Sequence, residues 1–173
     1  MAVHKLILAL IPRVAFFFYW IFDTLIVLTK IKFLTNTDLK WLTHKWACFW
    51  QCANLVGILS AIIELVEIGK EEVKLIAQKR VANSTSGGQI DSASGDKKSA
   101  LEEIKNKQKD LNGKKLTQVL NIIKNAGDTI TSSSLLQWDE HYLGTKFNEG
   151  LIGAGGFVSG VISCYNLYPA PKK

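Results

Sequence analysis

Asp139-Glu140-His141 is the compact acid–base cluster of this chain, and general acid–base chemistry would need it set beside a nucleophile or a carbonyl-polarising donor. The sequence supplies neither. His4, His44 and His141 are scattered, no nucleophile-elbow motif occurs, and no glycine loop with a following lysine is present to cradle phosphate. At the mouth of an apolar tract the triplet reads as a solvated boundary, and no enzyme is expected. Metal chemistry has one opening. His44, Cys48 and Cys52 recur at i, i+4, i+8 on one helical face, a spacing that could hold zinc, but a fourth ligand is not evident. The cysteines therefore read as small buried hydrophobes, and neither metal nor cofactor is expected. Cys48, Cys52 and Cys164 cannot all pair and lack the spacing of a secreted disulfide framework, which implies a reducing or lipid setting.

The elements that carry these residues are apolar at both ends of the chain. Gly150 to Ala170 holds no formal charge, and its length just meets the ~20 apolar residues needed to cross ~30 Å of hydrocarbon. Its small residues fall in two helical rows, Gly155/Ser159/Ser163 and Gly156/Gly160/Cys164, with a further pair at Gly150 and Ala154. In lipid, helices associate by close packing of such rows, so Gly155, Gly156, Ser159, Gly160 and Ser163 are the expected helix-packing residues. A glycine-rich transmembrane helix is placed at 148–168; a buried core helix of a soluble protein is the alternative.

Residues 1–34 form a second hydrophobic helix, dense in Leu, Ile, Phe and Trp, in which Pro12 is expected to open or kink the helix and Asp23 sits deep in apolar sequence. A retained segment is expected, because Pro12 and Arg13 interrupt the pattern of a cleavable signal. Thr35-Asn-Thr-Asp38 reads as a turn and cap. A hydrophobic-to-amphipathic helix is placed at 40–80; Trp46 to Ile63 carries no charge over eighteen residues, with Trp41, Trp46 and Trp50 as an interfacial belt at its start. Gln51, Asn54 and Ser60 dilute its apolarity and leave a core helix with an aromatic stripe as the other option.

A Gly/Ser-rich flexible loop is expected at 83–98, and amphipathic helices at 99–134. Ser99 and Glu102 fit a capping box, Asn112-Gly113 is an expected break, and Thr131-Ser-Ser-Ser134 weakens the helical end. Leu116, Val119, Leu120, Ile123, Ala126 and Ile130 form one apolar stripe at i, i+3, i+4 spacing. Of these, Leu116, Val119, Leu120, Ile123 and Ile130 are the expected membrane-interface wedge. The fold class is thus all-α: one membrane-associated helical bundle, 1–173, with two to three hydrophobic helices and amphipathic helices joined by a flexible loop.

The net charge of +6 and pI near 9.2 do not point to nucleic acid. Lys105, Lys107, Lys109, Lys114 and Lys115 lack interleaved aromatics and any recognisable module around them. A solvated face attracted to anionic headgroups fits better, and the bilayer is the expected partner.

The order of these elements resembles the peroxisomal membrane protein 11 family, also called peroxin 11. Phe22-Asp23 to Leu34 is similar to the family's Asp-containing segment, and Phe49 to Leu65 to its Trp-rich hydrophobic helix. Lys124-Asn-Ala-Gly-Asp128 is similar to its Leu-Asn-Leu-Gly/Ala-Asp word, and Asn148-Glu-Gly150 to Tyr165 to its terminal glycine-rich helix. Family members usually carry an additional N-terminal region with an amphipathic helix, whereas this chain begins close to the Asp-containing segment. The resemblance implies an integral peroxisomal membrane protein, multi-pass or partly interfacial. It would promote proliferation, elongation and fission of the organelle through membrane insertion and homo- or hetero-oligomerisation with related members, with the fission machinery as a partner. The alternative it implies is a pore for small metabolites, lined by Asp23, Gln51, Asn54, Ser159 and Ser163. Pro171-Lys172-Lys173 is only loosely like a dilysine coat-binding tail, since its lysines occupy the last two positions.

Overall fold

The computed structural model describes residues 3–84 and 94–168, and every regular element among them is helical. Five helices follow one another: α1, Val3–Lys30; α2, Leu39–Ser84; α3, Ser94–Leu135; α4, Trp138–Leu143; and α5, Glu149–Leu167. Three of the helical stretches, Leu6–Lys30, Leu39–Val81 and Glu149–Leu167, are long and apolar enough to cross a membrane. At 46 residues α2 is about 70 Å long, more than twice the thickness of a hydrocarbon core.

Several boundaries differ from those expected. Pro12 does not open a helix but lies within α1, which has already begun at Val3. Ser99 and Glu102 lie inside α3 rather than at its start, and the side chain of Ser99 is outside the described residues. Asn112-Gly113 does not interrupt α3. One interior glycine costs only ~1 kcal/mol, which the burial of neighbouring Leu111 can offset. Nor do the hydroxyls at 131–134 end the helix, because they bond back to it: Ser132 Oγ donates to the Asp128 carbonyl at 2.8 Å, and Thr131 Oγ1 to that of Gly127 at 3.4 Å. The expected loop 83–98 shortens at both ends, since α2 reaches Ser84 and α3 resumes at Ser94; 85–93, like the tail with Lys172 and Lys173, lies outside the described residues.

The chain divides into two compact units, one of residues 1–60 and 120–173, the other of 61–119. In the first, α1 and the start of α2 run antiparallel and are joined by rings. Phe18 stacks on Phe49 at 5.0 Å between centroids, Tyr19 on Trp46 at 5.2 Å, and Phe22 on Phe49 at 5.6 Å. Their turn ends at Asp38, whose Oδ1 accepts from the backbone N–H groups of Lys40 at 2.9 Å and Trp41 at 3.3 Å, an N-cap. Asn148 caps α5 in the same way, accepting from the Leu151 N–H at 2.7 Å.

The second unit pairs the charged ends of α2 and α3 around buried Ile68 and Leu111. Lys115 reaches Glu72 at 3.2 Å, and Gln118 donates to Glu64. Along α3, Glu103–Lys107 at 2.6 Å and Asp110–Lys114 at 2.8 Å are i, i+4 pairs on the solvent side.

Candidate functional site

The first unit is largely apolar outside and carries a set of polar side chains inside. Phe17, Trp20, Leu59, Phe157, Val161 and Tyr165 project outward, Phe157 with 73% of its surface exposed, while Gln51, Asn54, Asp128, Ser132 and Ser159 are all buried. The buried hydrophobic positions of this unit are the small Ala15, Ala47 and Ala53 and the larger Ile26, Leu42, Leu136 and Ile162, far fewer than the large apolar side chains left outside. Water would favour the opposite arrangement by ~1.5–3 kcal/mol for each large side chain turned inward. Hydrocarbon favours this one, because its tails are as apolar as the side chains and the polar groups must find partners within the protein.

The inward polar groups form a seam between α2 and α3. Ser132 Oγ shares its one hydrogen between the Asp128 carbonyl and the Gln51 side-chain oxygen, and the Gln51 amide donates in turn to Ser133 Oγ at 3.3 Å. One helical turn earlier on α3, Lys124 Nζ bonds Asp128 Oδ2 at 3.0 Å, with both side chains largely covered, so this carboxylate and ammonium neutralise each other. Asn54 is fully buried, and neither its amide oxygen nor its nitrogen has a partner; Thr129 Oγ1 and Ser60 Oγ are likewise buried and unpaired. Asn54 lies on the α2 face that carries Gln51, three residues away.

Glycines bring α3 and α5 together. A Cβ on Gly127 would lie 2.5 Å from the Gly155 carbonyl oxygen, and one on Gly155 would lie 2.8 Å from that of Gly127. Only hydrogen fits on either side of this crossing. Thr131 Oγ1, one turn on, donates across it to the Ile152 carbonyl at 3.4 Å. The two small-residue rows of α5 are thus distinguished. Gly155 and Ser159 are buried and Ser163 half-buried, so their row packs on the chain itself. Gly156 and Gly160 are exposed with Cys164, and a Cβ on Gly160 would meet nothing within 4 Å. Residue spacing showed both rows but not which was occupied; Gly127, the partner, stood unnoticed in the word Asn125-Ala-Gly-Asp128.

Of the stripe on α3, Leu116, Val119 and Ile123 are exposed, whereas Leu120 and Ile130 are half-buried. The cysteines are not buried hydrophobes: Cys52 and Cys164 are exposed and Cys48 half-exposed. Cys48 Sγ lies 3.6 Å from His44 Nδ1, and no group of three or more metal-ligating side chains gathers among the described residues. The acid–base triplet is not a solvated boundary throughout. Asp139 is 3% exposed, and its carboxylate accepts from the backbone N–H groups of Glu140 at 2.9 Å and Phe147 at 2.7 Å, holding the turn between α4 and α5. Sequence spacing had no means of finding the Phe147 contact, since it depends on Gly144 turning the chain at φ 69°.

Residues 5–168 match the family model described as Peroxisomal biogenesis factor 11. A relative from Dictyostelium discoideum, described as a Peroxisomal membrane protein 11 homolog, is 28% identical over 170 residues, covering 94% of this chain and 62% of the relative's length. No solved structure matches the chain.

Proposed function

The chain belongs to the peroxisomal biogenesis factor 11 family, and on that footing we propose that it is an integral peroxisomal membrane protein that promotes proliferation, elongation and fission of the organelle by inserting and self-associating in the bilayer. The observation that carries the physical half is the outward apolar and inward polar arrangement of the unit formed by 1–60 and 120–173. Leu116, Val119 and Ile123 supply further apolar contact with lipid. The exposed row Gly156/Gly160/Cys164 is the face for a second copy or a related member, since it is exposed throughout and a Cβ on Gly160 would find open space.

The test is localisation of the tagged full chain against a peroxisomal matrix marker, combined with alkaline carbonate extraction. Carbonate-resistant colocalisation with altered peroxisome number or length is the expected result. Release into the soluble fraction overturns the insertion. A pore for small metabolites is the second reading, favoured by the unpartnered amide of Asn54 within the seam. Gln51 and Asn54 are closed to solvent in one chain, so a path along them would need several chains or a different packing. A selective, salt-dependent conductance from the purified protein distinguishes it.

A further inference from the structure

We propose that the C-terminal part of α3, residues 120–135, is itself a membrane-crossing segment, which by its charges and amides escapes recognition on hydropathy. Among the described residues, the stretches apolar enough to cross lie on α1, α2 and α5. Three crossings would put the α1–α2 turn and the α4–α5 turn on opposite faces of the bilayer. The contacts within this unit require otherwise.

Ser132 and Ser133 of α3 meet Gln51 of α2, while Asn125 meets Gly57. As residue number rises on α2 it falls on α3, so the two run antiparallel over the stretch that carries the uncharged Trp46–Ile63 run. On the other side Gly127 meets Gly155 and Thr131 meets Ile152, again antiparallel. Residues 120–135 therefore lie alongside both α2 and α5 and share whatever layer they occupy. At 1.5 Å per residue they rise about 24 Å, most of a hydrocarbon core. Their face chemistry suits that place. Gly127, Asp128 and Ser132 turn inward, the Lys124–Asp128 pair is neutralised within the segment, and Ile123 and Ala126 turn outward. Ile123 and Ala126 thus face acyl chains on the outside of the bundle.

This rests on the membrane insertion proposed above and adds a sidedness: Asn36 and Thr145 share one face, and the ends of α2 and α3 that leave toward 61 and 119 share the other. In the full chain with Cys48, Cys52 and Cys164 changed to Ala, single cysteines are introduced as N36C, T145C, K74C and I123C. Semi-permeabilised cells are treated with a membrane-impermeant maleimide before and after detergent. N36C and T145C are expected to behave alike and opposite to K74C, and I123C to label at least tenfold more slowly than K74C until the protein is denatured. N36C and T145C on opposite faces, N36C, T145C and K74C all on one face, or I123C labelled as fast as K74C overturns the fourth crossing. Carbonate extraction of the same variants separates the two failures. A chain that is washed out refutes insertion itself, whereas a resistant chain with the wrong labelling pattern refutes only this crossing.

Discussion

At single residues, the seam and the crossing make opposite demands on side chains that look alike in the sequence. Gly155→Ala or Gly127→Ala drives a methyl into a backbone carbonyl at 2.8 or 2.5 Å, and no flexible side-chain end is available to yield. Each is expected to cost ~1–3 kcal/mol, read as a lower unfolding midpoint in detergent micelles. Gly153→Ala and Gly160→Ala meet nothing within 4 Å and are expected to be neutral or to stabilise by up to ~1 kcal/mol. Equal loss at all four positions would refute the crossing. The seam divides likewise. Gln51→Ala removes the donor to Ser133 Oγ and an acceptor of Ser132 Oγ, which keeps the Asp128 carbonyl, a loss of ~0.5–1.5 kcal/mol, whereas Asn54→Ala removes an amide that has no partner to strand. The more buried residue should therefore be the cheaper one to truncate, and the same midpoint measurement ranks the two. Sequence placed Gln51 and Asn54 within the hydrophobic-to-amphipathic helix at 40–80, as residues that dilute its apolarity or line a pore. Their value lies in which helix they face, which i, i+3 spacing alone does not state.

At the scale of elements, turn and charge chemistry decide where helices stop. Asp139 holds two backbone N–H groups, one of them eight residues ahead at Phe147, and so fixes how the chain enters α5. Asp139→Ala should release the Phe147 amide, with protection from hydrogen exchange at 144–150 falling at least tenfold while that of 120–135 is kept, given ~1.5–3 kcal/mol for a charged hydrogen bond. Along the exposed part of α3, the hydrogen bond and charge of Lys107 hold the Glu103 carboxyl below its ordinary value, and those of Asp110 hold the Lys114 ammonium above its own. The depressed acid contributes above its unfolded value and loses its contribution as pH falls through the folded one. The raised base contributes below its unfolded value and loses it as pH rises through the folded one. Protection at 103–114 should thus be greatest near neutrality and decline in acid below ~pH 4 and again in strong alkali. Both pairs are solvent-exposed, so the change is small and local. The helical class, the cap at Asp38 and the start of α5 were legible in the sequence because each is set by neighbouring residues. The continuity of α3 through Asn112-Gly113 and 131–134 was not, because α2 and α5 supply what the local sequence lacks.

Across the whole molecule, two rows of small residues on one helix separate folding from association. The row with Gly155 and Ser159 is consumed by α3, so a bulky residue there injures the unit before it can affect any partner. Gly156 and Gly160 face outward. A Cβ on Gly156 would be in ordinary contact with Thr131 Oγ1 at 3.8 Å, and one on Gly160 would find open space, so the double substitution Gly156→Ala, Gly160→Leu should leave the unit folded. In lipid that change blocks close approach of a second helix, while the tails accept the added apolar atoms at little cost. Self-association, measured by energy transfer between labelled chains in vesicles at fixed protein-to-lipid ratio, is expected to fall at least tenfold with the unfolding midpoint unchanged. Gly155→Leu is expected to lower the midpoint first, so that loss of association there follows loss of structure. If the double variant associates as the parent does, the outward row is a lipid-facing surface only, and self-association runs through another face of the chain.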